Sequence, residues 1–107
     1  MQPDYPDVMK LGPLTLYGHR GRILWHGSEV RLTAGEFKIL RHLIYKRDRI
    51  VSRQELYNCL YDTLGAPDSN SLEVLVNRIR GKLSYNVIST MRGLGYIMEE
   101  ALDQDRE

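Results

Sequence analysis

Polar and basic side chains share one side of a helix that the sequence predicts over residues 70–83. On a wheel of 3.6 residues per turn, the buried stripe consists of Leu72, Val76, Ile79 and Leu83, with Leu75 at its edge. The opposite side consists of Asn70, Ser71, Val74, Asn77 and Arg78, flanked by Arg80 and Lys82. Such side chains bond guanine edges or phosphates, pair with adenine and touch a thymine methyl group. This face therefore predicts contact with a DNA major groove, although an ordinary solvated helix surface is the alternative interpretation.

A second basic feature, Arg92-Gly93-Leu94-Gly95, lies in a predicted β-hairpin over residues 87–98. The two glycines permit a tight turn because glycine accepts positive φ at little cost. Arg92 beside that turn suits the negative potential of a narrow minor groove. Alone, the motif fits an ordinary hairpin with a solvated arginine equally well. Next to the basic helix, it favours a second DNA-contacting element.

The net charge is only +1, but it is unevenly distributed along the 107 residues. Residues 99–107 hold five acidic side chains and one basic one, a charge of −4, so the rest of the chain carries +5. Residues 36–55 and residues 70–96 each contribute +3. The acidic end therefore conceals a basic body of the kind that nucleic-acid-binding domains carry.

Length and composition predict one domain with flanking segments. With 42% apolar and 27% charged residues, the chain is large enough for one hydrophobic core. We expect residues 1–10, which contain two prolines and two aspartates, to be a linker or a remnant of cloning. The folded domain is expected over residues 11–99, and residues 100–107 are expected to form a disordered acidic tail.

The sequence predicts a cytoplasmic setting and no catalytic site. A single cysteine, Cys59, cannot form an internal disulfide, and no apolar run approaches the roughly 20 residues that span a bilayer. The three histidines, His19, His26 and His42, lack partners at metal-ligand spacing, so we expect no metal and no cofactor. Ser52 fits a helix cap better than a nucleophile. The expected protein is therefore not an enzyme and does not contact a membrane.

The order of predicted elements is that of an α+β winged helix-turn-helix. Short runs over Leu11–Tyr17, Arg22–His26 and Glu29–Leu32 suggest an antiparallel meander of three or four strands. Thr33–Glu36 and Ser52–Glu55 are capping boxes that open two helices. A loop from Asp62 to Ser69 precedes the third helix, for which Ser69 or Asn70 is the expected cap, and the hairpin follows. In this arrangement the third helix enters the major groove.

Four segments resemble the winged-helix effector domain of OmpR/PhoB-type two-component response regulators. They are Leu32–Phe37, Val51–Leu56, Leu72–Arg80 and Met91–Tyr96, and the likeness extends over residues 11–99. The resemblance implies an amino-terminal four-stranded antiparallel sheet, a three-helix core and a carboxy-terminal hairpin wing.

The resemblance also implies partners. These are direct-repeat promoter DNA bound as a head-to-tail dimer, RNA polymerase contacted through the loop at residues 61–69, and a receiver domain with its sensor kinase, neither of which is in this chain. Off DNA we expect a monomer, because no predicted helix offers a long apolar interface. The alternative that remains open is a winged helix used mainly for protein–protein contact.

The same resemblance implies roles for individual residues. Val74 and Arg78 match positions that touch bases, and Arg92 matches the wing arginine that enters the minor groove. Positions that contact phosphates or bases in various members correspond to Asn70, Ser71, Asn77, Arg80, Thr90 and Tyr96. Asn77 and Gly81 stand where many relatives carry basic residues, which would make binding less dependent on salt.

Overall fold

The structure, a computed structural model, describes residues 4–64 and 71–99. It begins with a four-stranded antiparallel sheet whose strands are hydrogen-bonded in chain order. The strands are β1 (Val8–Leu11), β2 (Leu14–Tyr17), β3 (Arg22–Trp25) and β4 (Ser28–Val30). The meander and its four strands agree with the prediction.

The start of the sheet differs from the sequence prediction. The run Leu11–Tyr17 is divided by a turn in which Gly12 has a φ of +59°, and Leu11 pairs with Leu14 across it. β1 extends back to Val8, into the segment predicted to be a linker. The reason is alternation: Met9 and Leu11 both point into the core, while the residues between and beside them are exposed. The prolines that precede β1 indicated a linker, so the short alternation of buried and exposed residues over 8–11 was not recognised as a strand.

Three helices and a hairpin follow the sheet. They are α1 (Ala34–Tyr45), α2 (Arg53–Leu64), α3 (Leu72–Lys82), β5 (Ser89–Met91) and β6 (Gly95–Ile97), with a 3-10 turn at Tyr85–Val87 between α3 and β5. The predicted first strand of the hairpin is thus shorter than expected, because Val87 belongs to that turn. β5 and β6 pair antiparallel.

The first predicted capping box is confirmed and the second is only half formed. The Glu36 amide donates to Thr33 Oγ1 at 3.3 Å, and the Thr33 amide donates to Glu36 Oε1 at 3.1 Å. At α2 the Glu55 amide donates to Ser52 Oγ at 3.1 Å. The Glu55 carboxylate, however, contacts the buried His42 ring instead of the Ser52 backbone.

The connection between α2 and α3 also differs from the prediction. α2 continues through Leu64, so the expected loop from Asp62 begins with the last turn of a helix. The cap of α3 is Ser71, whose Oγ accepts a hydrogen bond from the Val74 amide at 3.3 Å, in place of Ser69 or Asn70. A serine one residue later in the chain satisfies the same free amides at the helix start.

One hydrophobic core lies between the sheet and the helices. The predicted stripe of α3 is confirmed, since Leu72, Val76 and Ile79 are fully buried and Leu75 nearly so. Leu83, at the end of the stripe, is only partly buried and packs at the core margin. Because this stripe fixes how α3 is rotated, the opposite side of the helix faces solvent.

Candidate nucleic-acid interface

The outer face of α3 presents the predicted mixture of side chains. Val74 is 39% exposed, and Asn77 and Arg78 are exposed beside it. Within the described residues, no hydrogen bond or ion pair engages the Arg78 guanidinium. The structure therefore leaves Arg78 available to an external ligand, one helical turn beyond Val74.

Arg80 is engaged inside the protein. Its Nε and Nη2 donate to the Ile88 carbonyl at 3.0 and 2.7 Å, and Nη2 also donates to Thr90 Oγ1 at 2.9 Å. Its Nη1 donates to Asn77 Oδ1 at 3.1 Å, and its guanidinium lies 5.0 Å from the centre of the Tyr85 ring. Arg80 thus joins α3 to the first strand of the hairpin and orients two other predicted DNA-contacting side chains.

Lys82 is directed toward α1. Its Nζ lies 2.7 Å from Oε1 of Glu36, a carboxylate that is only 1% exposed. The same oxygen accepts the Thr33 amide hydrogen of the capping box. A buried carboxylate needs such a partner, so Lys82 stabilises the contact between α3 and α1. The structure separates it from the exposed face to which the sequence analysis assigned it.

The hairpin carries Arg92 and Leu94 at an exposed turn. Gly93 has a φ of +75°, and the Leu94 amide donates to the Met91 carbonyl at 2.8 Å. Leu94 is 59% exposed, and Arg92 has no hydrogen-bond or ion-pair partner among residues 4–64 and 71–99. The predicted turn and its solvent-facing arginine are present in the fold.

Gly95 has a different role from Gly93. Its φ is +147°, and a Cβ at this position would collide with the Val51 backbone. The close approach allows Val51 and Tyr96 to exchange backbone hydrogen bonds of 2.8 and 2.9 Å. The hairpin is thereby attached to the segment that enters α2.

Tyr96, a predicted phosphate-contacting residue, is 4% exposed. Burial and then the Glu73 carboxylate raise the pKa of its hydroxyl above the usual 10, while Arg53 and Arg80 act in the opposite direction. Tyr96 lines a groove between α3 and the hairpin together with these arginines. Its exposure limits any ligand contact to the edge of the side chain that lines this groove.

Arg53 in the first turn of α2 is a site residue that sequence reasoning did not single out. It forms an ion pair with Glu73 of α3 at the same groove. The hydrogen bond from Arg53 lowers the pKa of Glu73, and the bond to Glu73 raises the pKa of Arg53. The charge of residues 36–55 was the available signal, but it does not indicate which of six basic side chains faces α3.

Some predictions fall on residues that the structure does not describe. Asn70 is one of them, as are residues 65–69 of the predicted polymerase-contacting loop and the acidic residues 100–107. Among residues 4–64 and 71–99 there is no group of three histidine, cysteine or acidic side chains suited to a metal ion. None of the helices in these ranges has the length and apolarity needed to cross a bilayer.

These elements define a winged helix-turn-helix domain. α2 and α3 are consecutive helices of the core, and the β5–β6 hairpin lies beside α3, to which Arg80 connects it. The exposed side of α3 carries Arg78 and the hairpin turn carries Arg92, each without a hydrogen-bond or ion-pair partner among the described residues. The predicted fold class is therefore confirmed.

The chain belongs to the family described as transcriptional regulatory protein, C terminal, whose sequence profile matches residues 27–98. Two similar proteins are the uncharacterized transcriptional regulatory protein YvcP of Bacillus subtilis and the two-component response regulator PhoP of Pseudomonas aeruginosa, each 36% identical over 98 residues. These matches cover 88% of this chain but only 41% and 44% of the two relatives. The chain thus spans about two fifths of the length of these relatives.

Solved structures show the same fold. The DNA-binding domain of CpxR from E. coli has a TM-score of 0.73 at 25% identity, over 88% of this chain and 97% of that one. The Klebsiella pneumoniae RstA DNA-binding domain, solved in complex with the RstA box, has a TM-score of 0.74 at 25% identity, over 89% and 99%. The resemblance to OmpR/PhoB-type effector domains is confirmed.

Proposed function

We propose that this domain binds double-stranded DNA in a sequence-specific manner, as the output domain of a two-component transcriptional regulator in the cytoplasm. The observation that carries the proposal is the pair of exposed arginines, Arg78 on α3 and Arg92 on the wing, on neighbouring elements. The solved complex of the similar RstA domain with its box supports it.

In this proposal α3 lies in the major groove. Arg78 forms a bidentate contact with a guanine edge or a phosphate, and Val74 packs on a thymine methyl group. Asn77 receives the Arg80 hydrogen bond on Oδ1, so its amide nitrogen is the atom left to donate to a base or phosphate acceptor. Ser71 lies at the positive end of α3, where phosphates bind favourably.

The wing supplies the second contact. Arg92 enters the adjacent minor groove, where the negative potential is strongest when the groove is narrow. Arg80 sets the separation between α3 and the wing, because it bonds both Asn77 and the backbone of Ile88. Thr90 is held within this network and presents its hydroxyl beside the groove.

We further propose the partners that the family resemblance implies. They are direct-repeat promoter DNA bound as a head-to-tail dimer, RNA polymerase contacted through residues 61–69, and a receiver domain controlled by a sensor kinase. The greater length of the relatives supports an additional domain in a full-length protein. Off DNA the domain is proposed to be a monomer.

The rival hypothesis of a protein-binding winged helix requires an apolar patch on α3. In the structure Val74 is the only exposed large hydrophobic residue between Leu72 and Lys82, and Glu73, Asn77 and Arg78 are exposed near it. This face of α3 therefore lacks the apolar patch that would bind an apolar protein surface.

The test is substitution of the two exposed arginines. Arg78→Ala and Arg92→Ala are each expected to weaken binding to a duplex selected from random sequences, by about 1–3 kcal/mol for a base-contacting arginine. Arg20→Ala, in the exposed turn between β2 and β3, is the matched control and is expected to retain affinity. Gel-shift titration measures affinity, and circular dichroism checks the fold. Unchanged affinity in both folded variants would sink the proposal.

A further inference from the structure

The segment before β1 is docked on α1 by a polar side chain. The Tyr5 hydroxyl lies 2.8 Å from Nδ1 of His42. The Tyr5 ring meets Tyr45 edge-on, with ring centroids 5.1 Å apart, and the Arg41 guanidinium lies 4.2 Å from the centre of the same ring. On α1, Tyr5 is therefore held by this hydrogen bond, by edge-on ring contacts and by a cation–π contact, and its hydroxyl also hydrogen-bonds Cys59 of α2.

The other nitrogen of the His42 ring contacts α2. It is 3% exposed, and its Nε2 lies 2.5 Å from Oε2 of Glu55. An ionised carboxylate only accepts hydrogen bonds, so Nε2 of a neutral ring carries the proton and Nδ1 is the acceptor. The donors then run in one direction, from the Tyr5 hydroxyl to His42 and from His42 to Glu55.

Glu55 lies in the first turn of α2, where two connections meet. Its carboxylate is 4.0 Å from Lys46 Nζ, and among the described residues it makes no hydrogen bond with the Ser52 backbone amide that a complete capping box would engage. Two residues earlier, Arg53 pairs with Glu73 on α3. The first turn of α2 thus joins the amino-terminal segment, through His42, to the helix that carries Val74 and Arg78.

We propose that Tyr5, His42 and Glu55 form a conformational latch, which couples the docking of the amino-terminal segment to the position of the first turn of α2 and thereby to α3. Release of Tyr5 removes the donor from the buried Nδ1 atom of His42, which weakens the hold of the ring on Glu55. A domain attached ahead of residue 4 would act on α3 by undocking Tyr5. Only this last effect, on DNA contacts, rests on the proposed function.

The test removes one hydroxyl group and follows α2 without DNA. In Tyr5→Phe, amide hydrogen exchange at residues 55–57 is expected to be roughly 2- to 10-fold faster, which corresponds to one lost hydrogen bond. Tyr17→Phe is the matched control: Tyr17 is half-buried on β2, and its hydroxyl has no hydrogen-bond partner among the described residues. It is expected to leave exchange in α2 unchanged. The ¹⁵N shifts of the His42 ring should also move only in Tyr5→Phe.

A second variant separates a latch from a simple surface clip. In a Glu55→Ala background, the Tyr5→Phe change is expected to have no further effect on exchange at residues 55–57, because the path through His42 is already broken, whereas an effect through the direct contact of Tyr5 with Cys59 would remain. Faster exchange confined to residues 5–8, or equal effects of Tyr5→Phe in both backgrounds, would overturn the latch. Because these measurements contain no DNA, failure of the latch is distinguishable from failure of DNA binding.

Discussion

Arg80 is the residue that gives the proposed interface its shape. A planar guanidinium donates in several fixed directions at once, and here it reaches the Ile88 carbonyl, Thr90 Oγ1 and Asn77 Oδ1. Of these partners, Asn77 lies on α3, Ile88 directly precedes β5, and Thr90 lies on β5 itself. One side chain therefore fixes the distance between the two elements that are proposed to enter adjacent grooves.

Replacement of Arg80 by lysine tests this geometry while keeping the charge. Arg80→Lys is expected to lower the free energy of unfolding by about 1–3 kcal/mol, because an ammonium group cannot make the same set of hydrogen bonds. Arg78→Lys, a change at an exposed position on the same helix, is expected to stay within about 0.5 kcal/mol of the parent. Urea unfolding of both variants provides the measurement. Equal stability of the two would show that Arg80 acts through its charge alone.

At this scale the sequence predicts which side of α3 is exposed but not the partner of each basic side chain. Arg78, Arg80 and Lys82 have similar chemistry and close spacing, yet only Arg78 remains available. The partners that occupy the other two are a carbonyl eight residues downstream and a carboxylate 46 residues upstream. Helical periodicity carries no information on contacts between different elements. Only the three-dimensional structure therefore shows which of the three basic side chains is engaged by another element.

At the scale of elements, the groove between α3 and the hairpin is closed at one side by α2. The ion pair between Arg53 and Glu73 joins the first turns of α2 and α3. Both side chains are about half exposed, so solvent screens the pair and limits its contribution to stability. Its main consequence is to orient Arg53, whose guanidinium lines the same groove as Arg80 and Arg92.

The pH dependence of stability follows from the direction of the Glu73 shift. Arg53 holds the pKa of Glu73 below the usual 4.5, so the stabilisation is complete above pH 4.5 and is lost as the pH falls through the lowered value. Glu73→Gln is expected to be less stable than the parent at pH 7, by about 0.2–1 kcal/mol. In urea unfolding this difference should shrink as the pH falls below 4.5 and the Glu73 carboxylate is protonated.

Glu99→Gln is the matched control, because Glu99 is exposed and has no hydrogen-bond or ion-pair partner in the described part of the chain. It is expected to show no such pH-dependent difference. A difference for Glu73→Gln that stays unchanged while ¹³C NMR shows the Glu73 carboxylate becoming protonated would mean that the lost stability comes from something other than the carboxylate charge.

Elements with a strong local signal were predicted correctly. α1 begins at a complete capping box, and the buried stripe of α3 follows the helical period. The errors occur where a contact between distant residues decides the outcome. Val8 belongs to β1 because it pairs with Tyr17 of β2. The Glu55 carboxylate contacts the ring of His42, thirteen residues away, instead of completing the capping box.

At the scale of the whole molecule, charge is separated along the chain more than the net value suggests. The body carries +5, and the acidic residues near the end reduce the total to +1. Binding of a polyanion by such a body releases counterions and weakens as salt increases. Negative charge on the same chain opposes that attraction over about one Debye length, roughly 8 Å at physiological ionic strength.

Removal of residues 100–107 tests this effect. The segment contributes four acidic side chains and Arg106, so truncation after Glu99 changes the net charge from +1 to +4. Specific DNA binding is expected to be retained or strengthened by less than about 1 kcal/mol, and the gain should shrink as salt increases. Fluorescence anisotropy at several salt concentrations measures both quantities.

A 107-residue control with the four acidic residues replaced by their amides is expected to bind DNA at least as tightly as the truncated form, because it keeps Arg106 and carries a net charge of +5 against +4. The truncated domain could lose DNA binding while it keeps its fold, and the amide variant could retain binding. In that case the segment contributes a specific contact. If both lose binding, the acidic groups themselves are required for binding. Either result would show that residues 100–107 do not act on DNA binding by charge repulsion alone. Removal of a purely repulsive charge strengthens the attraction to phosphate at every salt concentration where the charge has an effect.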